Sequence, residues 1–312
     1  MFLGEQGLIM ALLVPAIIVL LGVVALPLVY ALILSMKNAS VNVVGGVGSV
    51  SGSWVWWQNY VTLLTDSAFW STLRQTLYFF GVSILIEITV GVGMASLLNQ
   101  QFPARGLVRA LVFVPWAIPT VVNANLWGMI LNGNSYGALN ALLNQLHLLS
   151  GSVVWLDTSP VLAHVPVLGS FLNWMGGTLG MNAIIVGDEW KTLPIVAFLV
   201  LAGLQTIPAE YYEAARMDGA SAWRQFRSVT LPLLGPILAV VLILRTMQLL
   251  RAFTIMYTLE GTGLPVLSIL AYQYSFSFGY FGMGSAIAFV IGMLALVVAF
   301  IYLKALYREE LQ

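Results

Sequence analysis

Six mostly apolar stretches, each long enough to cross a bilayer as a helix, set the terms for this 312-residue chain. They run over residues 8–36, 72–98, 107–131, 183–205, 231–253 and 285–307. A hydrocarbon core about 30 Å thick needs roughly 20 apolar helical residues. Within that layer no water satisfies backbone N–H and C=O groups, so the backbone must satisfy itself as helix. The expectation is an all-α integral membrane protein with six transmembrane helices. Only 8% of the residues are charged and 60% are hydrophobic, whereas a soluble domain carries about 25% charged residues. So few charges cannot cover a water-facing surface.

The N-terminus lacks the basic segment of a cleavable signal, since Glu5 is the only charge before Lys37. Its apolar run also exceeds the about 7–15 residues of a signal core, so it reads as a first span. Basic residues set the orientation. With the N-terminus inside, the inner segments hold Arg105, Arg109, Arg216, Arg224, Arg227, Lys304 and Arg308, and the outer ones only Lys37, Arg74 and Arg251. The positive-inside rule then puts both termini in the cytoplasm. Zero net charge argues against nucleic acid as a partner. The chain has no cysteine, so thiol chemistry is excluded, and two histidines, His147 and His164, are too few for a histidine-rich metal site.

Two outer loops are long. The first, 38–71, carries a Gly/Val/Ser run and then Trp54, Trp56 and Trp57, which suit a membrane interface. No Gly-Lys-Ser/Thr follows the glycines, so they form no phosphate cradle. The second, 132–182, has no Lys or Arg, and its stretch 160–181 is apolar enough to imitate a seventh span. Its prolines and glycines favour an interfacial or re-entrant segment instead. A seventh span would also move Arg216, Arg224 and Arg227 outside.

The connector between the fourth and fifth spans is unusual. Pro208 opens a helix, and Glu210 and Glu213 follow in its first turns, where the helix dipole favours acids. Ala214 and Ala215 are small enough for another surface to approach closely. Gly219 permits a left-handed turn, a basic aromatic turn follows, and Pro232 opens the next span. A short helix–turn–helix along the inner membrane surface is predicted. Glu213-Ala214-Ala215, three residues, Gly219, nine residues, Val229, one residue and Leu231-Pro232 resemble the "EAA" loop of ATP-binding-cassette importer permeases. Val229 stands where that family usually has isoleucine. The resemblance implies a coupling helix seated on an ATPase subunit, with Glu213, Ala214, Ala215, Asp218 and Gly219 as its coupling residues.

The resemblance extends to the sugar-importing subfamily through Val14-Pro15, Pro27-Leu28-Val29-Tyr30, Gln58-Asn59-Tyr60, Phe113-Val114-Pro115-Trp116-Ala117-Ile118-Pro119, Glu189-Trp190-Lys191-Thr192-Leu193-Pro194 and Ala202-Gly203-Leu204-Gln205. The pattern is most similar to the first of two unlike permeases in trehalose/maltose-type importers. After the fifth span, Thr258-Leu259-Glu260-Gly261-Thr262-Gly263-Leu264-Pro265 departs from the family's usual L-T-x-G-G-P. On this basis residues 1–71 are the first helix and outer loop, and 72–312 the permease core, with an outer loop at 132–182 and a coupling loop at 207–229. The resemblance implies no cofactor bound by this chain. It implies two ATPase subunits, or an ATPase homodimer, using ATP and Mg, a second permease subunit, an extracytoplasmic solute-binding protein, and a prokaryotic inner membrane.

Charged groups at bilayer depth are costly unless they face protein or water. Glu87, Asp188, Glu189, Lys191 and Arg245 are therefore candidates. Arg245, Gln248, Leu249 and Ala252 share a helical face. A sugar needs aromatic faces for its C–H surface and polar groups for its hydroxyls. The resemblance places sugar-lining positions at Trp190, Lys191, Thr192, Arg245, Gln248 and Ala252. Asn123, Asn125 and Trp127 fit helix–helix contacts as well as a site. A membrane enzyme is disfavoured, because Asp188-Glu189 has no histidine nearby. A stand-alone carrier using Glu87 as its proton site is a further alternative, as is a permease for glycerol phosphates. No Walker lysine motif occurs, so ATP would be hydrolysed by a separate subunit.

Overall fold

A computed structural model describes residues 5–44, 47–160 and 166–306. All six expected spans are helical. In chain order, α1 (Leu12–Ser35) exposes its apolar side chains all round, with none of its most apolar stretch buried. Pro27 has no N–H to give the preceding turn, and that turn widens to π geometry at Leu20–Ala25. A hairpin follows, β1 (Ser40–Val44) against β2 (Val47–Ser51), in register Ser40↔Ser51. This is an addition to the helical frame. The first outer loop is rich in valine, whose branched Cβ favours extended backbone.

Next come α2 (Ser67–Asn99) and the pair α3 (Arg105–Ala117) and α4 (Thr120–Ile130), which meet at 91°. The bend has a local cause. A residue before proline avoids the α region, and Ile118, before Pro119, is extended at φ −72°, ψ 130°. A proline also separates α5 (Leu179–Leu204) from α6 (Ala209–Met217), which meet at 72°; here Pro208 is itself extended, at φ −61°, ψ 139°. Then come α7 (Gly235–Glu260), loosened at 250–253, and α8 (Phe281–Leu306). If each bent pair is counted as one, six helical segments are long and apolar enough to cross a membrane.

The described part of 160–181 does not form a seventh span, because Pro160 and Thr178 at its two ends pair as an antiparallel bridge. It holds a nine-residue helix, Pro166–Trp174, which at 1.5 Å per residue is far too short to cross. Residues 161–165, including His164, lie outside the described residues. His147 is an exposed loop residue. Buried Asn140 organises the preceding loop. Its amide donates to the carbonyls of Asn132, Asn134 and Val153, and its oxygen accepts from Val153 N–H and Trp155 Nε1–H.

Packing divides the chain into two units, Met1–Phe69 with Leu270–Val290, and Trp70–Ile269 with Ile291–Gln312. In the first, the Asn59 amide donates to the Ser35 and Lys37 carbonyls, Gly282 N–H donates to Ala39, and Val41 N–H donates to Gly279. In the second, α2 and α5 pack closely at Gly91, where an added Cβ would come within 2.9 Å of Val196 Cγ1. Two apolar clusters form its core, one around Phe79, Met181, Ile184 and Ile255, the other around Ala95, Val200 and Leu234.

Candidate functional site

A cavity of about 600 Å³ opens among α3, α4, α5 and α7, all within the second unit. On α5, Asp188, Lys191, Thr192 and Ile195 face it; on α7, Arg245, Gln248, Leu249 and Ala252 do. Both sets follow the 3–4 spacing that puts side chains on one helical face. Trp116, at the end of α3, and Thr120, at the start of α4, reach it from the two sides of the proline break. Arg251 and Phe253 come from the loosened stretch of α7.

Lys191, Thr192, Arg245, Gln248 and Ala252 thus lie around one space. Trp190 does not line it. Neighbouring residues on a helix point about 100° apart, and the Trp190 ring meets the edge of Trp127 at 6.3 Å on another face of α5. Trp116 and Phe253 supply the aromatic surface inside the cavity instead, and Phe253 is stacked on Tyr257 at 5.0 Å. Trp116 was legible within its quoted motif. Which ring turned inward was not, because that depends on the bend at Ile118-Pro119.

Arg245 is buried at the cavity wall and tied from three sides. Its Nε–H donates to Glu87 Oε1 at 2.7 Å, with Nη2 2.5 Å from the same oxygen. Its Nη2 also lies 3.6 Å from Asp188 Oδ2, and Nη1–H donates to Gln248 Oε1. Glu87 opens a π-turn in α2, Glu87–Gly91, a distortion frequent at functional sites. The Thr192 hydroxyl donates to the Asp188 carbonyl at 2.8 Å. The cavity therefore offers donors from Lys191, Arg251 and Gln248, acceptors from Asp188 and Thr120, and two aromatic faces. Its size falls within the range of small-molecule sites, about 300–1,000 Å³. Asn123 and Asn125 lie elsewhere. Asn123 donates to Gly187 O at 3.0 Å as an α4–α5 contact, and Asn125 donates within its own helix to Val121 O.

The connector after α5 is the second candidate. α6 ends in a turn at Asp218-Gly219, where Gly219 has φ +72°. Gly219 N–H donates to Arg216 O and Ala220 N–H to Ala215 O, which closes the helix. Ser221 then caps the short helix Ala222–Gln225. A π-turn at Phe226–Thr230 precedes Pro232, and the Tyr212 hydroxyl lies 3.0 Å from the Thr230 hydroxyl, tying the two arms. Glu213, Ala214, Asp218 and Gly219 are exposed, Ala215 is half-buried, and Met217 is 89% exposed. So much uncovered surface on a tightly closed turn suits docking.

The family model described as "Binding-protein-dependent transport system inner membrane component" matches residues 87–308. The chain is 40% identical over 252 residues to the trehalose/maltose transport system permease protein MalF of Thermococcus litoralis, covering 79% of this chain and 78% of that one. It is 32% identical over 304 residues to the trehalose transport system permease protein SugA of Mycobacterium tuberculosis, covering 97% and 89%. Among solved structures, a chain of a bacterial ABC transporter that imports the acidic polysaccharide alginate superposes with a TM-score of 0.76 at 23% identity, over 97% of this chain and 96% of that one. With the family model spanning most of the chain and the helices bent and ordered as described, the protein belongs to the inner-membrane components of binding-protein-dependent transport systems.

Proposed function

We propose that this chain is the permease subunit of an ATP-driven sugar importer and that the cavity between α3, α4, α5 and α7 is its solute site. The observation that carries this is the meeting of Lys191, Thr192, Arg245, Gln248 and Ala252 around one space that also holds Trp116. Donors and acceptors in near balance with aromatic faces suit a polyhydroxylated solute. The names of the trehalose and trehalose/maltose relatives favour a disaccharide of that kind. Trp190 remains part of the proposal as an outlying contact.

Glu213, Ala214, Ala215, Asp218 and Gly219 form the ATPase-coupling surface in this proposal, on the cytoplasmic side with both termini. Two ATPase subunits, or a homodimer, hydrolyse ATP with Mg; this chain holds no cofactor. A second permease subunit completes the pore, and a solute-binding protein delivers sugar from outside. A carrier using Glu87 as a free proton site is disfavoured, since Arg245 pairs with that carboxylate.

The test is reconstitution of the complex with its binding protein into vesicles loaded with ATP. Trehalose or maltose uptake should require both ATP and binding protein. Uptake by the isolated chain under a proton gradient, without ATP, would refute the proposal.

A further inference from the structure

Glu189 takes no part in lining the cavity, yet it is 3% exposed. Neither of its carboxyl oxygens has a hydrogen bond of normal geometry among the described residues, and the buried Ser83 hydroxyl beside it is equally unpaired. Glu87 uses Oε1 for Arg245, which leaves its Oε2 without a partner. The π-turn that begins at Glu87 packs against α5, the helix that carries Glu189, and this brings the two carboxyl groups near each other.

The charged surroundings are few. Asp188 stands on α5 beside Arg245, with Lys191 near it at the cavity edge. Tyr302 of α8 lies near Glu87, with Thr246 of α7 beside the Tyr302 hydroxyl. Three carboxyl groups thus stand around one guanidinium, with the Lys191 ammonium beside Asp188; Arg251, the other guanidinium on the cavity wall, is exposed to solvent. Full ionisation would leave an uncompensated negative charge in the protein interior, where an unpaired carboxylate takes up a proton instead. Two facing carboxylates are also two acceptors with no donor between them, and one hydrogen satisfies both. A metal ion is a poorer answer. No group of three His, Cys, Asp or Glu side chains among the described residues is placed to hold one.

We propose that Glu87 and Glu189 share one proton, with the Glu189 O–H donating to Glu87 Oε2, and that this acid–carboxylate pair fixes Arg245 at the cavity wall. Glu189 is then a positioning residue acting through Glu87. The proton stays with the pair and does not travel with solute. Losing that proton sets two negative charges against each other and takes away the hydrogen that holds the Glu87 carboxyl in place. The effect on transport rests on the cavity being the solute path; the shared proton itself does not.

The experiment uses the whole reconstituted complex. Infrared spectra at neutral pH should contain a protonated-acid carbonyl band that shifts in D₂O and is missing from Glu189→Gln. An amide can donate to Glu87 as the acid does, so Glu189→Gln should retain uptake at neutral pH, while Glu189→Leu, with no donor, loses it. Wild-type uptake should fall severalfold at alkaline pH, and uptake by Glu189→Gln should not. Absence of the band from the wild type, or failure of Glu189→Gln to assemble, would overturn the proposal. So would stabilisation by sodium that Glu189→Gln abolishes, because the site would then hold a cation. An intact band with uptake unchanged in Arg245→Ala would refute the solute path and leave the shared proton standing.

Discussion

Arg245 donates through Nε–H to Glu87 Oε1 at 2.7 Å, joining α7 to α2 across 158 residues of sequence. Removing one partner strands the other charge in the interior, which costs about 3–5 kcal/mol. Glu87→Ala should therefore lower the thermal stability of the detergent-purified complex sharply. Adding Arg245→Met should recover part of the loss, since no guanidinium is then left in the interior without its carboxylate. A double variant no more stable than Glu87→Ala would refute the pairing as the cause.

Trp116 lines the cavity and Trp190 does not, although both are about 42–43% exposed. Trp116→Ala should raise the half-saturating sugar concentration for uptake by about tenfold, equivalent to about 1.4 kcal/mol. Trp190→Ala should lower uptake less. Equal effects in reconstituted vesicles, with equal assembly, would contradict the assignment of the aromatic face to Trp116.

Gly219 sits at φ +72° with open space where a Cβ would stand. Gly219→Ala carries only the left-handed backbone strain, about 1–2 kcal/mol. Gly219→Trp adds a ring on a surface proposed to dock the ATPase. Sugar-stimulated ATP hydrolysis should survive the first change and vanish with the second. Normal stimulation with Gly219→Trp would argue against the coupling role.

Gly91 lets α2 approach α5, with Val196 Cγ1 only 2.9 Å from an added Cβ. Gly91→Leu should force the helices apart and cost about 1–3 kcal/mol. The expected readout is less assembled permease in the membrane by quantitative blotting. Gly93→Leu, with nothing within 4 Å of its added Cβ, is the control and should assemble normally.

The spans and the connector were legible because each is a local property. A helix satisfies its own backbone and needs only about 20 apolar residues to span. Pro119 and Pro208 act on the residue before them or on their own φ, so the breaks also lie in the sequence, though the 91° and 72° angles do not. The β-hairpin was hidden because glycine and serine dilute its valines.

Six spans and a helix–turn–helix between the fourth and fifth follow from local sequence, because hydropathy, proline and glycine act over a few residues. The sequence named Glu87, Glu189 and Arg245 as costly charges and could not pair them. Arg245 reaching Glu87, Glu189 shut away from the cavity, and Trp116 rather than Trp190 facing it are all consequences of packing between helices. Burial and partnership depend on which faces of distant helices meet, and that is set by packing such as Gly91 on Val196 and by the proline bend between α3 and α4.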